Sequence, residues 1–202
     1  MAERPTSLAG GPAGMPARIE RHLSYVQHLP VREAASIGLV VIHCTELPDL
    51  DTAREYGRRI LYPESKTGNS GHYYIDRDGR IEEWVPPERV AHHARAYNSD
   101  SIGIELVNRG RFPNWLDSRR QDLTEPYPEE QIQALLELLA GLERCLPELR
   151  GIAGHEDLDR ERVPATDDPR LRVYRKRDPG PLFPWPRVLS HTRLQRITTS
   201  GG

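Results

Sequence analysis

Gly38-Leu39-Val40-Val41-Ile42-His43-Cys44 (GLVVIHC) is an apolar, β-branched run that ends in a histidine, and it reads as a buried strand. The neighbouring segments decide what it pairs with. DLDTAREYGRRILY, residues 49–62, opens on a capping-type Asp and sets Ala53, Tyr56 and Ile60 near helical spacing, so a helix is expected there. HYYIDRDGRIEEWVP, 72–86, is two alternating runs around Asp76-Arg77-Asp78-Gly79, the pattern of a hairpin. SIGIELVN, 101–108, is a further strand. In PEEQIQALLELLAGLERCL, 128–146, Ile132, Leu135, Leu136, Leu139 and Leu142 form one apolar stripe behind a Pro and two Glu, which predicts a long amphipathic helix. GIAGH, 151–155, reads as a short strand end. Strands and helices mix along the chain, which gives an α/β single domain with one central sheet.

The expected boundaries are a Gly-, Ala- and Pro-rich disordered segment over 1–17, a domain over 18–189 and a tail over 190–202. From 156 to about 186 the chain is polar, Pro-rich and loop-like. Of 202 residues, 37% are hydrophobic, enough for a core. No apolar stretch nears the roughly 18 residues of a spanning helix. The 28 basic residues nearly cancel the 30 acidic ones, so bulk charge points to no nucleic-acid partner. Cys44 and Cys145 are too few for a disulfide framework and read as small core residues in a reducing compartment. The opening MAERPTSLAGGPAGMPARIE has no apolar signal region, so a cytoplasmic location is expected.

Among eight histidines, His43 and His155 stand at strand ends, where a side chain is held by the sheet yet opens to solvent. In SIGIELVN the alternation puts Ile102, Ile104 and Leu106 on one face and Gly103, Glu105 and Val107 on the other. Glu105 is then either a carboxylate that something pairs or uses, or part of a wet face; the pattern alone leaves both open. All but two of the basic residues are arginines, and one exception, Lys176, sits between Arg175 and Arg177, two residues before Asp178. Two histidines and a carboxylate are a catalytic zinc set with one open position. A glutamate and a lysine beside them suit a general base and an oxyanion stabiliser.

In order along the chain stand VVIHC, SGHYYIDRDGRIEEWVP, AHHARAYNSDSIGIEL, AGHEDLD and KRDPGP with a following FPW. Over roughly 38–187 this series resembles the zinc-dependent N-acetylmuramoyl-L-alanine amidases of the amidase-2 type, the cell-wall recycling amidases whose relatives include phage amidases and peptidoglycan recognition proteins. The resemblance implies a mixed sheet flanked by helices, with one zinc ion per chain at the edge of a substrate groove. It implies His43, His155 and Asp178 as zinc ligands, Glu105 as general base toward the attacking water and Lys176 as oxyanion stabiliser. His93, Asn98 and His72 match positions lining the substrate cleft. The implied substrate is a muropeptide or peptidoglycan, cut between the lactyl group of N-acetylmuramic acid and L-alanine. Two other functions share the fold: a module that binds peptidoglycan without cutting it, marked by lost ligands, and a lysin or secreted toxin acting on intact wall, marked by export.

Three positions depart from the family pattern. Recycling members have a short loop between the second His and the Asp, whereas 23 positions separate His155 from Asp178 here, so Asp167 or Asp168 competes as the third ligand; the K-x-D-P-G context favours Asp178. His92 stands where Trp is common, and Gly71 where phage-type members carry Tyr.

Overall fold

The computed structural model describes residues 8, 9 and 14–198. An eight-stranded sheet organises them. In chain order its strands are β1 (Leu8–Ala9), β2 (Arg18–Glu20), β3 (Leu39–Cys44), β4 (Tyr73–Ile75), β5 (Ile81–Glu83), β6 (Ser101–Leu106), β7 (Gly151–Gly154) and β10 (Gln195–Arg196), arranged β1-β2-β5-β4-β6-β3-β7-β10. Two further strands, β8 (Arg162–Pro164) and β9 (Arg172–Tyr174), pair only with each other. The sheet is mixed: β1–β2 and β4–β5 are antiparallel, and every other pair is parallel. Four α-helices accompany it: α1 (Leu50–Gly57), α2 (Glu129–Cys145), α3 (His155–Leu158) and α4 (Trp185–Ser190).

Alternation along the central strands sorts the two faces. Val40 and Ile42 of β3, Ile102, Ile104 and Leu106 of β6, and Ile152 of β7 pack into one cluster with the stripe Ile132, Leu135, Leu138, Leu139 and Leu142 of α2. The Glu129 and Glu130 carboxylates sit at the positive end of α2. Gln131 Nε2 fastens the helix to the sheet by donating to the carbonyls of Ile75 (2.9 Å) and Val107 (3.0 Å). Leu135 is fully buried against the strands. Leu135→Ala is expected to cost about 2–5 kcal/mol in urea unfolding, since the cavity cannot collapse against a sheet; an unchanged midpoint would mean that the stripe does not bear on the sheet.

Opposite α2, Leu23, Leu47, Leu50, Ala53, Tyr74 and Trp84 build a second cluster, with Tyr74 stacked on Trp84 at 3.4 Å between ring centroids. Asp49 caps α1, its Oδ1 accepting from the Thr52 amide at 2.7 Å. The helix is shorter than the 49–62 expectation. Tyr25 Oη takes the Gly57 carbonyl (2.8 Å), and residues 61–67 fold into their own turn through Leu61 N to Thr67 O (3.0 Å), leaving Ile60 exposed. A side chain from a distant segment, Tyr25, and the backbone turn at 61–67 thus end the helix, which helical spacing does not register.

The hairpin expected over 72–86 is β4–β5, with Ile75 opposite Ile81. Part of the 156–186 stretch read as loop is the β8–β9 hairpin, and its strand β9 runs directly toward Lys176. Within the expected tail, Leu194 is buried and β10 adds a parallel edge to β7. The expectation of disorder over 1–17 falls mostly outside the described residues; within it β1 pairs with β2 and Met15 packs on the α2 cluster. Cys44 is buried, Cys145 half-buried, and both are free thiols. Among the described residues no helix is long and apolar enough to cross a membrane.

Candidate metal centre and cleft

Three adjacent parallel strands place the site at their carboxyl ends, where open α/β sheets bind ligands. The β3–β6 register sets His43 beside Glu105. The β3–β7 register sets Ile42 beside Gly154, so His155 follows at the level of His43. All three side chains emerge on the face away from α2. The segment after β9 brings Asp178 over them, and Asp178 Oδ2 lies 2.9 Å from His43 Nδ1 and 3.2 Å from His155 Nδ1. The donor atoms of His43, His155 and Asp178 lie within 4.8 Å of one another, and all three residues are buried.

This set fits a divalent cation. Asp178 Oδ1 is buried without a hydrogen-bond partner, so this carboxylate keeps an unused lone-pair donor beside the two histidines. Burial pushes the Asp178 carboxyl up, but the facing His155 and His43 and the charge of Lys176 hold it well below the usual carboxylate range. Burial likewise lowers His155 despite Asp178 beside it. An ionised carboxylate and a neutral imidazole are the protonation states that zinc requires. Asp167 is taken up by Ser118, whose amide and hydroxyl both lie at 2.7 Å, and Asp168 by Arg170 at 2.8 Å; neither joins the cluster.

A histidine that would hold a metal through one ring nitrogen needs the other nitrogen held. His43 Nε2 lies 3.0 Å from His93 Nδ1, His93 Nε2 lies 3.2 Å from Ser101 Oγ, and that hydroxyl donates to the Tyr97 carbonyl at 2.5 Å. The His93 ring fits because Gly103 beneath it has no side chain; a Cβ there would stand 2.7 Å from the ring. Burial and the neighbouring His43 hold His93 well below the usual histidine range.

Glu105 Oε1 stands 4.0 Å from His43 Nδ1, and its side chain is 15% exposed. Burial raises its carboxyl above the ordinary range, partly opposed by His43; a cation in the cluster would pull further down. Gly71 gives it room, since a Cβ at that position would meet Glu105 Cγ at 2.9 Å. The Gly71 departure noted in the sequence is thus a close approach to the carboxylate. These groups open into one cleft of about 660 Å³, a size suited to a small ligand, with Glu105, Lys176, Asn69, Tyr62, His92 and Trp115 in its walls. Lys176 is half-buried and makes no hydrogen bond or ion pair to the described residues.

Of the three expected cleft residues, His93 and Asn98 line the cleft. His93 has both ring nitrogens engaged within the protein, and Asn98 Oδ1 accepts from the amides of His93 (3.0 Å) and Ala94 (2.7 Å). His72 is fully buried and is not among the residues that line the cleft. Its Nδ1 accepts from the Gly103 amide at 3.0 Å, and its Nε2 faces the Arg89 carbonyl at 3.0 Å and Arg32 at 2.8 Å. Burial and Arg32 lower its pKa to about 3. His72 therefore braces β6 as a neutral ring.

A family model for N-acetylmuramoyl-L-alanine amidase, the amidase-2 family, matches residues 33–181. The chain belongs to this family. Its curated relatives include N-acetylmuramoyl-L-alanine amidase AmiD of Escherichia coli (strain K12), 36% identical over 114 residues, which are 52% of this chain and 36% of AmiD. The 1,6-anhydro-N-acetylmuramyl-L-alanine amidase AmpD of the same strain is 32% identical over 127 residues, 58% of this chain and 55% of AmpD. The chain thus spans about half or less of the length of these relatives. Among solved structures, AmiD from E. coli in complex with the substrate anhydro-N-acetylmuramic acid-L-Ala-D-gamma-Glu-L-Lys superimposes with a TM-score of 0.59 at 28% identity, covering 77% of this chain and 57% of that one.

Two cleft residues carry no local signal in the sequence: Glu46 and Arg111, which form a buried ion pair. They lie 65 positions apart, and neither sits in a recognisable motif. Tyr62 was also hidden, since the spacing placed it on a helix, whereas it stands on a turn with its ring edge-on to His92 at 5.2 Å.

Proposed function

We propose that this protein is a zinc-dependent amidase that hydrolyses the bond between the lactyl carbonyl of N-acetylmuramic acid and L-alanine in muropeptides. The observation that carries this reading is the convergence of a buried His43–His155–Asp178 set with Glu105 and Lys176 in one cleft. Family membership and the substrate in the AmiD complex support the same bond. A complete ligand set favours catalysis over a binding module, the function in which ligands are lost. One zinc ion per chain would be held by His43, His155 and Asp178, and when bound it would supply Lewis-acid polarisation of the scissile carbonyl and a water acidified toward a pKa of about 7.

The rest of the chemistry falls to this chain. Glu105, near the cluster but not part of it, takes a proton from the attacking water and delivers it to the leaving L-alanine nitrogen. Lys176 has no described partner that would neutralise it, so its ammonium offsets charge on the tetrahedral oxyanion. His93 and Asn98 shape the wall beside the centre, His93 by holding His43 and Asn98 by fixing the turn that carries His93. Two free thiols support a reducing, cytoplasmic setting.

The direct test is product analysis by mass spectrometry after incubation with purified anhydro-muropeptide and, separately, with polymeric peptidoglycan. Release of a peptide headed by L-alanine from the muropeptide supports the proposal; release from polymer alone points to a wall lysin, and release from neither removes the amidase reading. Lys176→Ala is expected to fold, bind zinc and lose about 10²–10³ in turnover. Near-normal turnover in that variant would take the oxyanion role from Lys176.

A further inference from the structure

Three chain segments deliver the reacting groups: the end of β3 with His43, the end of β6 with Glu105, and the stretch after β9 with Lys176 and Asp178. They meet at one side chain outside the chemistry. Arg111, six residues beyond Glu105, has a side chain only 1% exposed. Its Nε and Nη2 fork onto both oxygens of Glu46, each at 2.6 Å, and Glu46 lies three residues beyond His43. Its Nη1 donates to the Tyr174 carbonyl (3.0 Å) and to Gln121 Oε1 (3.2 Å), and Nη2 also reaches the Arg175 carbonyl (3.3 Å). All five guanidinium donors are thus used. Two of them hold the carbonyls immediately before Lys176.

Glu46 is held as firmly from its own side. Its φ is +49°, a region that residues with side chains rarely occupy. The Arg111 amide donates to its Oε1 (3.1 Å) and Trp115 Nε1 to its carbonyl (3.1 Å), fixing that conformation. Backbone strain kept in place by surrounding bonds gathers at functional sites. Lys176 itself makes no described bond, so its place depends on the backbone that carries it.

We propose that the Glu46–Arg111 pair is the positioning device for Lys176: it fixes the Tyr174–Arg175 backbone to the end of β3, so that the ammonium faces the scissile carbonyl beside the metal centre. This rests on the amidase reading for what Lys176 does, but not for where Lys176 is held. Only arginine can serve, because a lysine at 111 offers a point charge and cannot span a carboxylate and two carbonyls at once.

The test is a double-mutant cycle on the zinc-loaded protein. Arg111→Lys and Glu46→Gln are each expected to lower kcat by about 10–10²-fold, the scale of a small misplacement of a catalytic group. KM and zinc content should stay near normal. In a Lys176→Ala background the same substitutions should have almost no further effect, because the group they position is gone. An equal loss in both backgrounds would overturn the proposal. If Arg111→Lys does not fold, Glu46→Gln, which keeps the side-chain shape, carries the cycle.

A readout independent of activity comes from the lysine count. Reductive methylation with ¹³C-formaldehyde labels only Lys66, Lys176 and the terminal amine, and the Lys176 signal is identified by its loss in Lys176→Ala. Glu46→Gln should move the Lys176 resonance and leave that of Lys66 in place. An unmoved Lys176 signal overturns the positioning role. A wild-type protein that releases no peptide defeats the amidase reading instead, and the ¹³C shift still decides the positioning.

Discussion

Glu105→Gln is expected to lower turnover by about 10²–10⁴-fold, the range for loss of a general acid–base group, while the protein keeps its fold and its zinc. The reasoning starts from the sheet. Because β6 pairs with β3 in register, Glu105 is fixed beside His43 at 4.0 Å, yet it is not one of the gathered donors. Its neighbour Gly71 leaves room for the side chain, and glutamine fills the same space without a basic oxygen. Stability should therefore change little and metal content not at all. The check is kcat on a muropeptide, together with zinc per chain and thermal midpoint. A variant that turns over near the wild-type rate would show that another group handles the proton.

Asp178→Asn is expected to weaken zinc binding by roughly 10²-fold or more, since even the groups that support a ligand contribute 10–100-fold to affinity. The carboxylate is the one anionic donor of the set, and its buried Oδ1 has no hydrogen-bond partner. The amide keeps the size of the side chain, so the loss falls on the metal and not on packing. Competition with a chromophoric chelator reads the affinity directly, without any turnover. Asp168→Asn is the control: that residue is half-buried and paired with Arg170, outside the cluster. It should leave zinc affinity unchanged. If Asp168→Asn lost zinc and Asp178→Asn kept it, the ligand assignment would be wrong.

Much of this architecture is written locally. GLVVIHC, SIGIELVN, the 72–86 hairpin and the leucine stripe of 128–146 each carry a period that only one element satisfies, and β3, β6, β4–β5 and α2 form there. The outer strands β1, β2 and β10 are two or three residues long and have no period to read; partners along the sheet define them. The same holds for α1, where Tyr25 and the 61–67 turn end the helix from outside. At the site, strand ends picked out His43 and His155, and the alternation of β6 separated Glu105 from the apolar face. Choosing Asp178 over Asp167 and Asp168 needed the family pattern, because a carboxylate 23 residues away is placed by a long loop and not by a period. Burial of His72 could not be read either, since its bonds to Gly103, Arg32 and Arg89 join four distant segments. The Glu46–Arg111 pair was invisible for the same reason.

The most direct measurement is metal content and turnover on a purified muropeptide, before chelation, after chelation and after zinc is added back. The expected result is about one zinc per chain, loss of peptide release on chelation and its return with zinc. A protein that binds the muropeptide yet holds no zinc and releases nothing under any of the three conditions would contradict the account, and the cleft would then be a recognition site.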